Sequence, residues 1–455
     1  MATNTNLGGV FTTDLDGAIS NAEYQSTENI GGIIFDTSIV GGLAKALGTD
    51  TVAATTFANG NVVELNNSKD MTEAGIDDAI MAGLVKYHLD ACFSVNGAQR
   101  LFVSFMNSDT DKEFEAVEKM QLASGGIIDH IGIWTGKAIA TKNEDGTYSV
   151  DAGNILSKLE SVAESLGGKV GVTNYDGNAP LNILVSAPIL NETEVDVRKL
   201  PDLSSLGFPK VSVLLGQAAS DTVRKLMFAV NNVDATTKTY APVGAIGVAI
   251  GVLSVAPANE SIGHVASYDL ASVMQEAELA LGNLIADDKG YTSEASFTNI
   301  KTLNYNKRNS YLHKKGYIFT TNYDGLEGSV FFSCDQTLDT GDYRSLTRCR
   351  VMHKSRRVVR RALLPYVNAD VEVDTTTGYL STSTIAMFQN VVIEALDANM
   401  KEPATGTPQI SGRTCSIDAE QNVLANDKID INYTLVPRGI TSEINVTEGF
   451  ASTAS

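Results

Sequence analysis

From residue 30 to about residue 290, short apolar runs alternate with segments of helical period, and this alternation restricts the fold more than any other property of the chain. Leu101-Phe102-Val103-Ser104-Phe105 reads as a buried strand, as do Ile127 to Trp134, Ile183-Leu184-Val185 and Val211 to Leu215. Between and around them, Met71 to Val95 places Ile76, Ile80, Leu84, Tyr87, His88 and Ala91 on one helical face. Further helices are expected over Lys112 to Leu122, Ala152 to Leu166, Asp221 to Val230 and Tyr268 to Ile285. In the second of these, Ile155, Leu159, Val162 and Leu166 form a stripe that stops at Gly167-Gly168. The expected class is α/β of mixed α+β character, with mixed, partly parallel sheets flanked by helices.

A chain of 455 residues has room for about three domains of about 150 residues each. Asp287-Asp288-Lys289-Gly290 reads as a boundary, so a body over 25–290 is expected to precede a second α/β unit over 291–427. That unit carries strands near Tyr317-Ile318-Phe319 and Val330-Phe331-Phe332 and a basic helix from Tyr343 to Leu364 that Pro365 ends. A β stretch at Val371 to Val373 follows, then a helix with Ile385, Phe388, Val392 and Leu396 on its apolar face. Residues 1–24 are polar and small, and read as an N-terminal arm. Residues 428–455 read as a C-terminal strand arm: Ile429, Ile431, Tyr433 and Leu435 alternate with polar residues, Pro437-Arg438-Gly439 turns the chain, and Ile444 and Val446 resume the pattern. Such a strand can complete its own sheet or lie along a neighbour's edge.

The composition excludes several classes of function. With 54 acidic against 34 basic residues the chain carries −20, which disfavours general nucleic-acid binding, because counterion release requires a basic surface. Met1 to Asn6 lacks the basic start of a secretory signal, so synthesis in the cytoplasm is expected. The longest apolar stretch, Val243 to Pro257, is too short for a membrane span and reads as a buried segment, so no membrane insertion is expected. Cys92, Cys334, Cys349 and Cys415 form no CxxC pair, and His88, His130, His264, His313 and His353 show no i, i+3 or i+4 spacing, so neither a metal site nor a disulfide framework is expected. Gly132 to Ala138 is one residue short of a P-loop and has Ala where Mg²⁺ needs a hydroxyl. No catalytic residue and no cofactor are therefore assigned.

Charge segregation rises above this background. From Asp342 to Arg361 there are eight Lys/Arg against one acid, so this window is +7 and the remainder of the chain −27. Arg350, Lys354, Arg357 and Arg361 follow 3/4 spacing and form one stripe, while Met352, Val359, Ala362 and Leu363 face a core. Like charges crowded on one stripe are unfavourable unless an acidic surface lies opposite, so the stripe is expected to contact a partner; a plain solvated face is the alternative.

Three stretches resemble the sheath proteins of contractile bacteriophage tails and related contractile injection systems. Pro242 to Ala249, followed by Ala256-Pro257-Ala258-Asn259, is similar to the family's glycine/alanine helix and its Ala-Pro-Ala-Asn turn. The order from Asn304 to Asn399, with strands ending near Thr337-Leu338, then the Arg-rich helix, a β segment and a helix, resembles a sheath, as does the C-terminal strand with its Pro-x-Gly turn. Ser254 and Val255 stand where the family often has an aspartate, and Gln336-Thr337 where it has Arg-Thr, so the chain reads as a divergent member. The resemblance implies a structural, non-enzymatic subunit that polymerises as a helix of stacked rings around an inner tail tube, meets baseplate and tail terminator proteins, and contracts without nucleotide. It implies an outer part and the glycine helix within 25–290, an inner conserved domain over 291–427, terminal arms that join neighbouring subunits, and a place in a virion tail or injection particle made in a bacterial host. It implies that Arg350, Lys354, Arg357 and Arg361 contact the tube or a neighbour. Another virion protein, such as a capsid or tube subunit, and a doubly wound α/β enzyme are the alternatives.

Overall fold

The computed structural model describes residues 29–36, 62–73, 84–106, 113–135, 139–151, 153–167, 179–186, 200–214, 216–218, 243–270 and 312–450, the last apart from 322, 324, 327, 328, 405, 443, 447 and 449. The expected N-terminal arm, the helix at 221–230, all but the start of the helix at 268–285, and the boundary at 287–290 lie outside the described residues.

The alternating sequence becomes one seven-stranded sheet. Its strands are β1 (Gly31–Asp36), β2 (Val63–Leu65), β3 (Leu101–Met106), β4 (His130–Trp134), β5 (Asn182–Ser186), β6 (Val211–Leu214) and β7 (Tyr317–Ile318). The spatial order is β7-β6-β5-β4-β1-β3-β2, parallel throughout except for β2, which runs antiparallel to β3 at the edge. The sheet is mixed, as the sequence led one to expect, and is covered on both faces, which is why its inner strands are continuously buried.

The strand period of two separates two cores. Ile33, Phe35, Val103, Phe105 and Trp134 point to one face, where they meet α1 (Leu84–Val95) and α4 (Ile246–Val255). Ile34, Phe102, Ile131, Ile133, Ile183 and Val185 point to the other, against α2 (Glu113–Ala123) and α3 (Ile155–Gly167). The stripe read from the sequence, Ile155, Leu159, Val162 and Leu166, is buried in this second core.

Helix α4 is apolar on every side and wholly internal along Ile246 to Leu253, as expected of a buried segment. Its glycines set the distance to α1: a Cβ at Gly247 would lie 2.0 Å from the His88 carbonyl oxygen, and one at Gly251 2.8 Å from that of Cys92. Two glycines four residues apart thus let two backbones touch along one face.

The remainder of the chain builds a smaller unit against this sheet. Helix α5 (Leu346–Leu363) is capped by Ser345, whose hydroxyl accepts from the Arg348 N–H, and ends in a 3₁₀ turn over Leu364–Tyr366 containing Pro365. Helix α6 (Thr382–Leu396) is capped in the same way by Ser381 and runs on into a π-turn over Asp397–Lys401. Strands β8 (Ile410–Ile417) and β9 (Ile431–Pro437) form an antiparallel hairpin whose inner face packs with Val351, Val359, Val392 and Leu396 of the two helices. Val371 to Val373, expected as a β stretch, forms only one bridge, Val373 to Leu380.

Strand pairing crosses the boundary expected near residue 290. Tyr317–Ile318, assigned to the second unit, completes the first unit's sheet as β7 beside β6, and Leu338 bridges Phe208. A two-residue strand has too little pairing of its own to stand apart, so it takes the open edge of an existing sheet. Gln336, at one of the two departures from the sheath pattern, donates to the carbonyls of His313 (2.9 Å) and Tyr317 (3.0 Å) and so tethers that edge.

Candidate functional site

Helix α5 is where the positive charge collects, and its arginines divide into those that serve the interior and those that reach solvent. Arg350 is buried, at 4% exposure. Its guanidinium donates to the carbonyls of Leu253 (3.1 Å), Ala256 and Pro257 (3.4 Å) and to Asn29 Oδ1 (3.0 Å). These are the last carbonyls of α4 and the start of the Ala-Pro-Ala-Asn turn, groups that no residue within the helix can satisfy. A cation at the negative end of a helix is favoured, yet burial still draws the guanidinium down to about 10.

Arg356 and Arg357 repeat this device. Arg356 donates to the Gly167 carbonyl at the end of α3 (2.7 Å), and Arg357 to the carbonyls of Ile128 (2.9 Å) and Pro180 (2.8 Å), just ahead of β4 and β5. Arg357 also pairs with Asp129, whose other oxygen accepts from the Asn29 N–H (2.6 Å). The basic helix is therefore tied to the sheet through backbone oxygens as well as through apolar contact.

This alters the reading of the stripe. Of the four residues expected to face a partner, Arg350 points inward and Arg357 is mostly covered; Lys354 is half-buried and Arg361 exposed, as are Arg344, Arg356 and Arg360. The 3/4 spacing correctly puts Arg350, Lys354, Arg357 and Arg361 on one side, and all four line one concavity. Periodicity could not reveal that this side lies over the end of α4, because the sequence carries no mark of which carbonyls lack partners. The interior role of Arg350 is for this reason invisible to periodicity.

Beneath α5, Lys210 Nζ lies 2.9 Å from His353 Nε2, and the Lys210 N–H donates to Glu160 (2.8 Å). Burial holds His353 well below the ordinary imidazole range and pulls Lys210 down, each also repelled by Arg356. His88 and His130 are likewise internal, His88 drawn down to about 3. Burial pushes the Cys92 and Cys349 thiols up to about 12, so both stay protonated. Among the described residues no group of His, Cys, Asp and Glu could hold a metal, and no helix is long and apolar enough to cross a membrane.

The C-terminal arm also divides. Strand β9 pairs with its own chain's β8, and Ile431, Tyr433 and Leu435 turn half-buried onto the helices, Tyr433 reaching Ser355 Oγ (3.1 Å). Ile429 packs in a neighbouring cluster with Leu380 and Phe388. Beyond the turn the pattern is open: Ile444 and Val446 are each 75% exposed, without strand pairing among the described residues.

The family described as DUF2586, C-terminal domain, matches residues 342–455, which hold α5, α6 and the β8-β9 hairpin. No curated protein matches the chain. Among solved structures, the helical sheath of the anti-feeding prophage in its contracted state aligns with 99% of this chain and 100% of its own, at 11% identity and a TM-score of 0.50. A chain of the anti-feeding prophage baseplate aligns over 98% and 100% at 12% identity and a TM-score of 0.51. The sheath complex of PVC, an extracellular contractile injection system, in its contracted state, aligns over 99% of both chains at 13% identity and a TM-score of 0.50. The chain shares the fold of the sheath proteins of contractile injection systems.

Proposed function

We propose that this chain is the structural subunit of a contractile sheath: it polymerises as a helix of stacked rings around an inner tube and shortens to drive that tube through a target envelope. The observation that carries this reading is fold likeness running nearly end to end with sheath chains of two injection systems. Baseplate and terminator proteins would cap such a polymer, and its place would be a phage tail or injection particle made in a bacterial host's cytoplasm. No catalytic role is proposed, and contraction would draw on the metastability of the assembled state rather than on nucleotide.

The outward residues of α5, Lys354 and Arg361 foremost, are the proposed contact with an acidic tube or neighbour, with Arg350 and Arg357 holding the helix in place behind them. Charge pairs at such a rim give orientation and salt sensitivity more than affinity, which suits a contact that must release. The segment carrying Ile444 and Val446 is the proposed arm that joins neighbours by strand addition. Electron microscopy of the overexpressed protein tests the reading: hollow, cog-like tubes support it, thin smooth tubes point to a tube subunit, and dispersed monomers with turnover to an enzyme.

A further inference from the structure

Beyond β9 the chain runs beside the body without being bonded to it. Arg438 donates to the Pro408 carbonyl (3.1 Å), and past it no hydrogen bond holds any described residue of 439–446. The anchored hairpin therefore ends at Arg438. Gly439 follows in open space, where a Cβ would meet nothing within 4 Å, and serves as a free pivot for the tail.

Between this tail and the body lies a cleft of about 1130 Å³. Ile440 and Ile444 line it from the tail, at 45% and 75% exposure; four residues apart, they share one face of an extended chain. The body wall carries Val265 and Ala266, from the turns after the Ala-Pro-Ala-Asn stretch, and Tyr323 and Leu326, from the turn that precedes Phe331–Phe332. Leu326 is itself 42% exposed. Apolar side chains thus stand on both walls of one open cleft, and bringing the walls together removes them from water. The cleft is wider than two isoleucine side chains fill, so closure takes a swing of the tail about Gly439 rather than a change of rotamer.

We infer that in the free subunit the tail closes onto this cleft as a latch, seating Ile440 and Ile444 against Val265, Ala266, Tyr323 and Leu326. Its own tail is the favoured occupant because a segment joined through one short pivot has an effective concentration on the order of millimolar, far above that of a second subunit in dilute solution. The consequence rests on the sheath reading: the segment that latches is the one that joins neighbours. A subunit is then withheld from polymerising until a growing end competes its tail away.

The test uses the full-length chain as dispersed subunits. Cys334, a free and half-buried thiol on the body wall of the cleft, supplies the probe. Maleimide labelling of Cys334, resolved by peptide mass, decides whether the latch closes. If it is closed about nine-tenths of the time, wild type labels about tenfold more slowly than the Ile440→Ser, Ile444→Ser variant; equal rates overturn the latch. Ile444→Cys, oxidised with glutathione disulfide, decides whose tail closes it. A bridge to Cys334 within one chain is expected, with a yield unchanged on dilution and lost when Cys334→Ser is added. A bridge only between chains, falling on dilution, overturns the latch and gives the cleft to a neighbour's tail. The bridged chain is expected to stay dispersed and to form tubes once reduced; tubes from the bridged chain overturn the competition between latch and neighbour. Wild type that forms no tubes sinks the sheath reading alone, since labelling and bridging still decide the latch.

Discussion

Arg350 donates to the carbonyl oxygen of Leu253 across 97 positions of sequence, so the basic helix closes the end of the glycine helix. The contact joins two of the three stretches that carried the sheath resemblance, and it makes a charged residue part of the scaffold. Replacing it with methionine would keep the volume but leave the carbonyls of Leu253, Ala256 and Pro257 without this donor. Arg350→Met is expected to lower unfolding stability by about 1–3 kcal/mol, chiefly through the Leu253 carbonyl, because Asn29 still donates to Ala256 and the Glu260 N–H to Pro257. Urea denaturation with an unchanged m-value and a lower midpoint would verify this; an unshifted midpoint would remove Arg350 from the scaffold.

The α1-α4 contact should tolerate no side chain at its closest point. Gly247→Ala would place a methyl 2.0 Å from the His88 carbonyl oxygen, backbone that cannot rotate away. A loss of about 1–3 kcal/mol or more is expected from the forced separation of the helices. A thermal midpoint equal to wild type would show that the helices can move apart freely.

Acid should weaken the folded subunit. His88, His130 and His353 are held neutral by burial, His88 down to about 3 from an ordinary 6.5. Below pH 6.5 the unfolded chain takes up protons that the folded chain refuses, so stability is complete above that pH and falls as pH drops through the window toward 3. The slope is about 1.4 kcal/mol per pH unit for each such histidine. Chemical denaturation at a series of pH values, with His88→Phe reducing the slope, checks the sign; stability that is flat between pH 7 and 4 would contradict it.

Truncation should separate the two parts of the C-terminal arm. A chain ending after Arg438 keeps β9 and its packing on α5, and is expected to fold as wild type while losing polymerisation. A chain ending before Lys428 loses β9, uncovers the face on which Ile431, Tyr433 and Leu435 lie, and should be less stable as well. Light scattering and thermal melts of the two truncations distinguish them, and tubes formed by the longer one would exclude the tail as the joining segment.

Reversing charge at Lys354 and Arg361 should leave the fold intact and suppress assembly in a salt-dependent manner. Neither appears in the carbonyl contacts that Arg350, Arg356 and Arg357 make, so Lys354→Glu with Arg361→Glu spares that docking. Sedimentation across a salt series is the measurement, and polymerisation equal to wild type at low salt would assign these residues to a solvated face.

The sequence determined local structure because its causes are local. The period of two in Leu101 to Phe105, the 3/4 stripe of Ile155, Leu159, Val162 and Leu166, the all-apolar run around Gly247 and Gly251, and the alternation of Ile431, Tyr433 and Leu435 each reflect the geometry of a single segment. What those segments meet is settled only by the tertiary fold. Tyr317–Ile318 adds to a sheet begun almost 290 residues earlier, because the edge of β6 offers unpaired N–H and C=O groups to any segment that reaches it, wherever that segment lies in the chain. Arg350 and Lys354 are equivalent by spacing, yet one turn of helix decides that the first is buried against the end of α4 and the second only half-buried. A side chain's periodicity names its face; the unsatisfied carbonyls and charges brought opposite that face decide its role.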